Sequence, residues 1–142
     1  MKNTVRWTLV VVGIAVLIQV VPVARSNPPV ETEVGAPPDV RAILKRACYD
    51  CHSHETAWPW YSAVAPVSWI VAHDVREGRA ELNFSTWNRI PAGRRAGKIG
   101  KICEEVAGRD MPPWYYPVAH PHARLSPEDR AKLGAWAACI PR

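Results

Sequence analysis

The sequence predicts an all-α chain in which one small helical domain follows an N-terminal apolar helix. Three observations lead to that class. Apolar residues recur at i, i+3, i+4, i+7 spacing in one segment after another, and no stretch alternates apolar and polar residues with a convincing period of two. The front of the chain, Trp7 to Ala24, also runs for eighteen residues without a charge. A total of 142 residues leaves room for one domain, which argues against a two-domain enzyme, a repeat array or a disordered chain.

The apolar front, WTLVVVGIAVLIQVVPVA, would reach roughly 27 Å as a helix, enough to cross a hydrocarbon core. Lys2 and Arg6 precede it and keep the N-terminus cytoplasmic, so everything after Ser26 is exported. A cleavable signal is the competing reading of residues 1–26, with Ala24-Arg25-Ser26 as its cleavage point, but the length favours an uncleaved transmembrane anchor. Residues 27–38, NPPVETEVGAPP, contain four prolines and no aromatic residue, and predict an extended linker that holds the domain off the membrane.

The domain is expected to occupy residues 39–142. Asp39 can cap a helix whose apolar face is Val40, Ile43, Leu44 and Ala47. Pro66 suits the first turn of a second helix, which Gly78 would end. Ser85 can cap a short turn over Thr86 to Ile90. Residues 92–107 carry Ile99, Ile102, Cys103 and Val106 at helical spacing, and Gly108 is expected to stop them in a left-handed conformation. The Pro-rich stretch 109–125 is expected to be irregular. Ser126-Pro127-Glu128-Asp129 then reads as cap, first-turn proline and first-turn acids of a last helix with Leu133, Trp136, Ala137 and Ile140 as its apolar stripe.

Charge narrows the function classes. The formal net charge is +5, yet Lys2, Arg6 and Arg25 all precede Asn27, so fifteen basic residues face thirteen acidic ones beyond it. No clustered basic face is left for nucleic acid.

Four cysteines remain to be explained, Cys48, Cys51, Cys103 and Cys139. Cys48-Tyr49-Asp50-Cys51-His52 is a C-x-x-C-H motif, the attachment signal for c-type haem. Two thiols at this spacing can add to the two vinyl groups on one porphyrin edge, and the adjacent imidazole is held beneath the iron as proximal ligand. No βαβ pattern supports a thioredoxin-like site, and no second close ligand pair supports structural zinc. An exported C-x-x-C disulfide domain without haem is the bland alternative.

For the sixth ligand, Met111 stands out. It is the one methionine besides Met1, lies 59 residues beyond His52, and is braced by Pro112 and Pro113 in a polar loop where a core-filling methionine would be out of place. His120 and His122 are its serious competitors, whereas His54 is cramped beside the proximal ligand and His73 reads as a surface residue. Trp58, Trp60, Trp69, Trp87, Trp114 and Trp136 are expected to supply core burial around the porphyrin. Tyr61, Arg79 and Arg124 are candidate propionate partners. Cys103 and Cys139, left over in an exported chain, are candidates for a disulfide, with two buried free thiols as the alternative.

The runs CYDCHSHETAWPWYSAVAPVSWIVAHDVREGRAELNFSTW, from Cys48 to Trp87, and MPPWYYPVAHPHARLSPEDRAKLGAW, from Met111 to Trp136, resemble the bacterial haem-binding domain family of small exported proteins with one C-x-x-C-H. The front segment with IQVVPVARSNPP is similar to that family's membrane anchor and exit. The resemblance implies a cytochrome c-like helical fold around one covalent haem c, with thioethers at Cys48 and Cys51 and iron on His52. It supplies no substrate, and it does not cover Cys103 and Cys139.

Together these readings predict a membrane-tethered monohaem c-type cytochrome, single-pass in the bacterial inner membrane with its haem domain in the periplasm. It would pass single electrons between redox partner proteins, with His52 and Met111 on the iron. The alternative is a haem-based sensor or gas-binding module with a displaceable sixth ligand. Peroxidase activity is disfavoured for want of a second C-x-x-C-H and distal acid-base groups.

Overall fold

The computed structural model describes residues 2–137, which are helical with no strand among them. Seven α-helices are joined by turns of 3₁₀-helix, and the one β-bridge among these residues pairs Thr32 with Thr86.

Helix α1 spans Lys2–Leu17 and passes into a 3₁₀ turn, Ile18–Val20. Together they form a nineteen-residue helical segment, Lys2–Val20, long and apolar enough to cross a membrane and with no residue buried in the protein. At its C-terminal end the Gln19 side chain binds both backbone groups of Ala65. Its amide donates to the Ala65 carbonyl at 3.2 Å and its oxygen accepts from the Ala65 N–H at 2.9 Å.

Residues 27–36 are extended, as their prolines require, but lie against the helical body. Val34 is 1% exposed, Glu31 and Thr32 donate to the Ser85 carbonyl, and Trp87 donates back to Thr32. A single well-placed valine gains on the order of 1.5–3 kcal/mol from such burial, enough to hold a segment already stiffened by proline.

Helix α2, Pro38–Ala47, buries the expected face of Val40, Ile43, Leu44 and Ala47. Pro37 occupies the cap position, and Asp39 sits inside the first turn, where its charge complements the helix dipole rather than capping it. Cys48 ends this helix and begins α3, Tyr49–His52. Helix α4 runs Val67–Glu81, through Gly78 rather than ending at it. The short turn lies at Trp87–Arg89, with Thr86 rather than Ser85 at its cap position.

Helix α5, Ala92–Gly108, extends through Gly108, and the left-handed residue is Arg109, with φ 66°. The conformation closes the helix because Arg109, Asp110 and Met111 all turn their N–H groups back onto the Glu105 and Val106 carbonyls. The stretch beyond is more regular than expected. Pro117 and Pro121 sit near the starts of α6, Tyr116–Ala119, and a 3₁₀ turn, Pro121–Ala123, where their missing N–H costs nothing. Helix α7, Pro127–Trp136, carries the expected capping box between Ser126 and Asp129. Its Leu133 is fully buried, and Ile140 lies outside the described residues.

The core gathers α2, α5 and α7 with Val34, Tyr49, Phe84 and Trp87. The tryptophans play the expected part only in places, with Trp136 packed against the core. Trp87 is buried, but Trp60 and Trp114 are 80% and 82% exposed. The buried aromatic stack is instead Tyr49, Phe84 and Trp87, with neighbouring ring centres 5.2 and 6.5 Å apart. The single Phe therefore occupies the centre of the core.

Candidate cofactor site

Helix α2 delivers the two cysteines. Its buried face fixes Ala47 in the core, and the turn at Cys48 redirects the chain so that α3 projects Cys51 and His52 into a cavity of about 320 Å³. Leu82, Phe84, Ile102, Val106, Met111 and Tyr116 line the same cavity. Volume and lining suit a mostly apolar ligand with a few polar anchors.

His52 is held by two backbone carbonyls. Its Nδ1 lies 2.9 Å from the Gly78 oxygen and 3.0 Å from that of Leu82. Carbonyls only accept, so Nδ1 carries the proton and Nε2 keeps its lone pair free. This is the tautomer a metal-ligating imidazole needs, with the second nitrogen anchored to a backbone acceptor. Burial pushes the imidazole pKa below its usual value, against the raising effect of the Leu82 and Gly78 carbonyls, so the ring is neutral at neutral pH.

Gly78 makes that arrangement possible. A Cβ at this position would lie 2.6 Å from the Cys51 carbonyl oxygen and 3.0 Å from its carbon. Both are backbone atoms that cannot step aside, so α4 reaches the cysteine helix only because residue 78 has no side chain.

Cys48 and Cys51 are free thiols. Burial raises both pKa values to about 12, helped by Cys51 for the one and by Asp74 and Asp50 for the other. They are therefore neutral S–H groups facing an apolar cavity, unlike the thiolates of a zinc site or a redox-active C-x-x-C. No group of three or more metal-ligating side chains occurs among the described residues. One imidazole with a free Nε2, two neutral thiols and an apolar cavity fit a haem that brings its own iron.

Met111 lines this cavity, and its N–H is tied to the Glu105 carbonyl at 3.2 Å. His120 and His122 are not among the lining residues. His120 stacks on Tyr116 with ring centres 4.3 Å apart and pairs with the Tyr61 hydroxyl at 2.5 Å. Burial lowers its pKa, offset in part by Asp50. His54 is engaged with the Pro29 carbonyl and Asn83, and His73 is exposed beside Arg76. None of the six candidate tryptophans lines the cavity, and Arg79 is occupied by Ser53, Ser26, Asn27 and Thr56. The basic residues at the mouth are Lys98 and Lys101, which grip Glu81 across the gap between α5 and α4 and, with Lys101 first, hold its pKa down at about 2. Cys103 is disulfide-bonded, and Cys139, its expected partner, lies outside the described residues.

Sequence reasoning missed Gly78, Leu82, Phe84 and Tyr116 as site residues. A glycine inside a helical pattern was the available signal, since it marks either a stop or a close approach.

No curated protein and no solved structure matches the chain. The model of the haem-binding domain, by contrast, matches residues 13–139, nearly the whole sequence and all of the cavity. The chain belongs to the haem-binding domain family.

Proposed function

We propose that the chain is a membrane-tethered monohaem c-type cytochrome that carries single electrons on the exported side of the bacterial inner membrane. The observation that carries this reading is His52, neutral, with Nδ1 anchored by two carbonyls and Nε2 left free, in a cavity shared with two thiols and Met111. Cys48 and Cys51 would hold the haem through two thioethers, each thiol adding its sulfur and its hydrogen across one vinyl group with no net oxidation. His52 would ligate the iron through its free Nε2, and Met111 would supply a thioether ligand. The bound haem supplies the one-electron chemistry. Leu82, Ile102 and Val106 exclude water, and Lys98 and Lys101 are the basic side chains on the cavity lining that could meet acidic groups of the cofactor. Cys139 is the proposed disulfide partner of Cys103.

Helix α1 serves as an uncleaved anchor, which its length supports. The spectrum of the purified full chain tests the haem assignment. The oxidised protein should show the weak far-red iron–sulfur charge-transfer band, and Met111→Ala should abolish it. An unchanged low-spin spectrum in that variant rules out Met111. Tight carbon monoxide binding by the reduced wild type would favour a sensor over an electron carrier.

A further inference from the structure

We infer that the surface around Ala65 is a second membrane contact, a lipid-facing patch that lays the haem domain on the bilayer at the exit of α1. The inference rests on the proposed anchor. Residues 56–72, TAWPWYSAVAPVSWIVA, form a seventeen-residue stretch without a charge in a chain whose charged fraction is 22%. The stretch is not hidden. Trp60 is 80% exposed, Ile70 54%, Val64 44%, Val67 41% and Trp69 38%.

Position decides what covers it. Gln19, at the outer end of the anchor, holds Ala65 through both backbone groups. The exit residues Val21, Pro22, Val23 and Arg25 face Ser62, Ala63 and Ser68 across a small cleft, in which Arg25 is the one charge. A helix spanning a hydrocarbon core brings Gln19 to the interfacial zone, and Ala65 comes with it. Tryptophan beside aliphatic residues without charge is the composition of that zone. A soluble partner would need no such continuity with the anchor.

The patch opens α4, and the cavity-lining residues Asp74, Glu77, Gly78 and Glu81 follow on the same helix. Ile70 and Asp74 are about one turn apart. The domain therefore cannot swing freely on its tether, and the cavity mouth is presented at a fixed height above the lipid.

The test places single cysteines at Trp60, Val64, Val67 and Ile70 of the full chain, each labelled with a nitroxide and counted against the parent chain. The labelled proteins are reconstituted in phosphatidylcholine vesicles with an anionic fraction. Collision of the label with oxygen, which concentrates in lipid, is compared with collision with an aqueous nickel chelate. Val10→Cys in α1 and Glu128→Cys on α7 are the lipid and water references. Oxygen should dominate at the patch positions as at Val10, and nickel at Glu128. Nickel dominating at all four patch positions while oxygen dominates at Val10 overturns the patch and leaves the anchor standing. Nickel dominating at Val10 removes both. Dipolar broadening between patch labels that grows with protein density would assign the surface to a second copy and overturn the lipid contact.

Discussion

The two walls of the cavity are built on different principles. The wall bearing His52 is held by backbone. Two carbonyls fix the ring, and α4 approaches Cys51 so closely that only glycine fits. The wall bearing Met111 is a loop closed by one left-handed arginine and tied across by side chains. The Tyr116 hydroxyl donates to Asp50 at 2.5 Å and that of Tyr115 to Asp74 at 3.0 Å. Backbone contacts inside a core open only with the fold, whereas side-chain ties at a surface open locally. The wall that anchors His52 and the wall that can be remodelled are thus separate.

Three changes probe this contrast. Gly78→Val should have the largest effect, because its Cβ meets backbone on the rigid side. A loss of about 3 kcal/mol in urea unfolding is expected. A stability within experimental error of wild type would mean that α4 can retreat from Cys51. Tyr116→Phe removes the tie between the loop wall and Asp50. A hydrogen bond to a carboxylate is worth about 2 kcal/mol, and the variant should also bind carbon monoxide faster than wild type. Equal rates would show that the loop does not depend on that tie.

Acid provides the smallest probe. Although burial raises it, the Asp129 pKa is held at about 2 by Arg46 and by the Ser126 backbone and hydroxyl. Arg46 also donates to the His122 and Arg124 carbonyls, so the pair joins the rigid helix α2 to the chain after the loop. A folded pKa below the unfolded one, about 3.9, gives stability that is complete above that value and lost as pH falls towards 2. The expected loss is about 1 kcal/mol, seen as a difference between wild type and Asp129→Asn that closes over this window.

What was legible in the sequence was local. The apolar face of α2, the capping box of Ser126 and Asp129, and the cysteine spacing each lie within one or two turns, and each stands in the structure where the residues indicated. Features set by distant segments were not legible. Gly78 punctuates a helix in sequence, but its role depends on Cys51 lying across from it. Val34 sits in a proline-rich stretch that reads as a spacer, and its burial depends on Ser85 and Trp87 offering hydrogen bonds. The tryptophans misled for a related reason, since large aromatic rings are as much at home at an interface as in a core.

The bond from His52 to the end of α4 also has an electronic consequence. The carbonyl end of a helix carries roughly half a negative charge, and here it faces the imidazole N–H. As the ligand of the proposed centre the ring would be a stronger donor, which would favour ferric over ferrous iron and depress the reduction potential. Met111, a soft thioether, would raise it. In the proposed centre the two walls would act on the potential in opposite directions, and its working value would be set by the balance between a helix end and a sulfur atom.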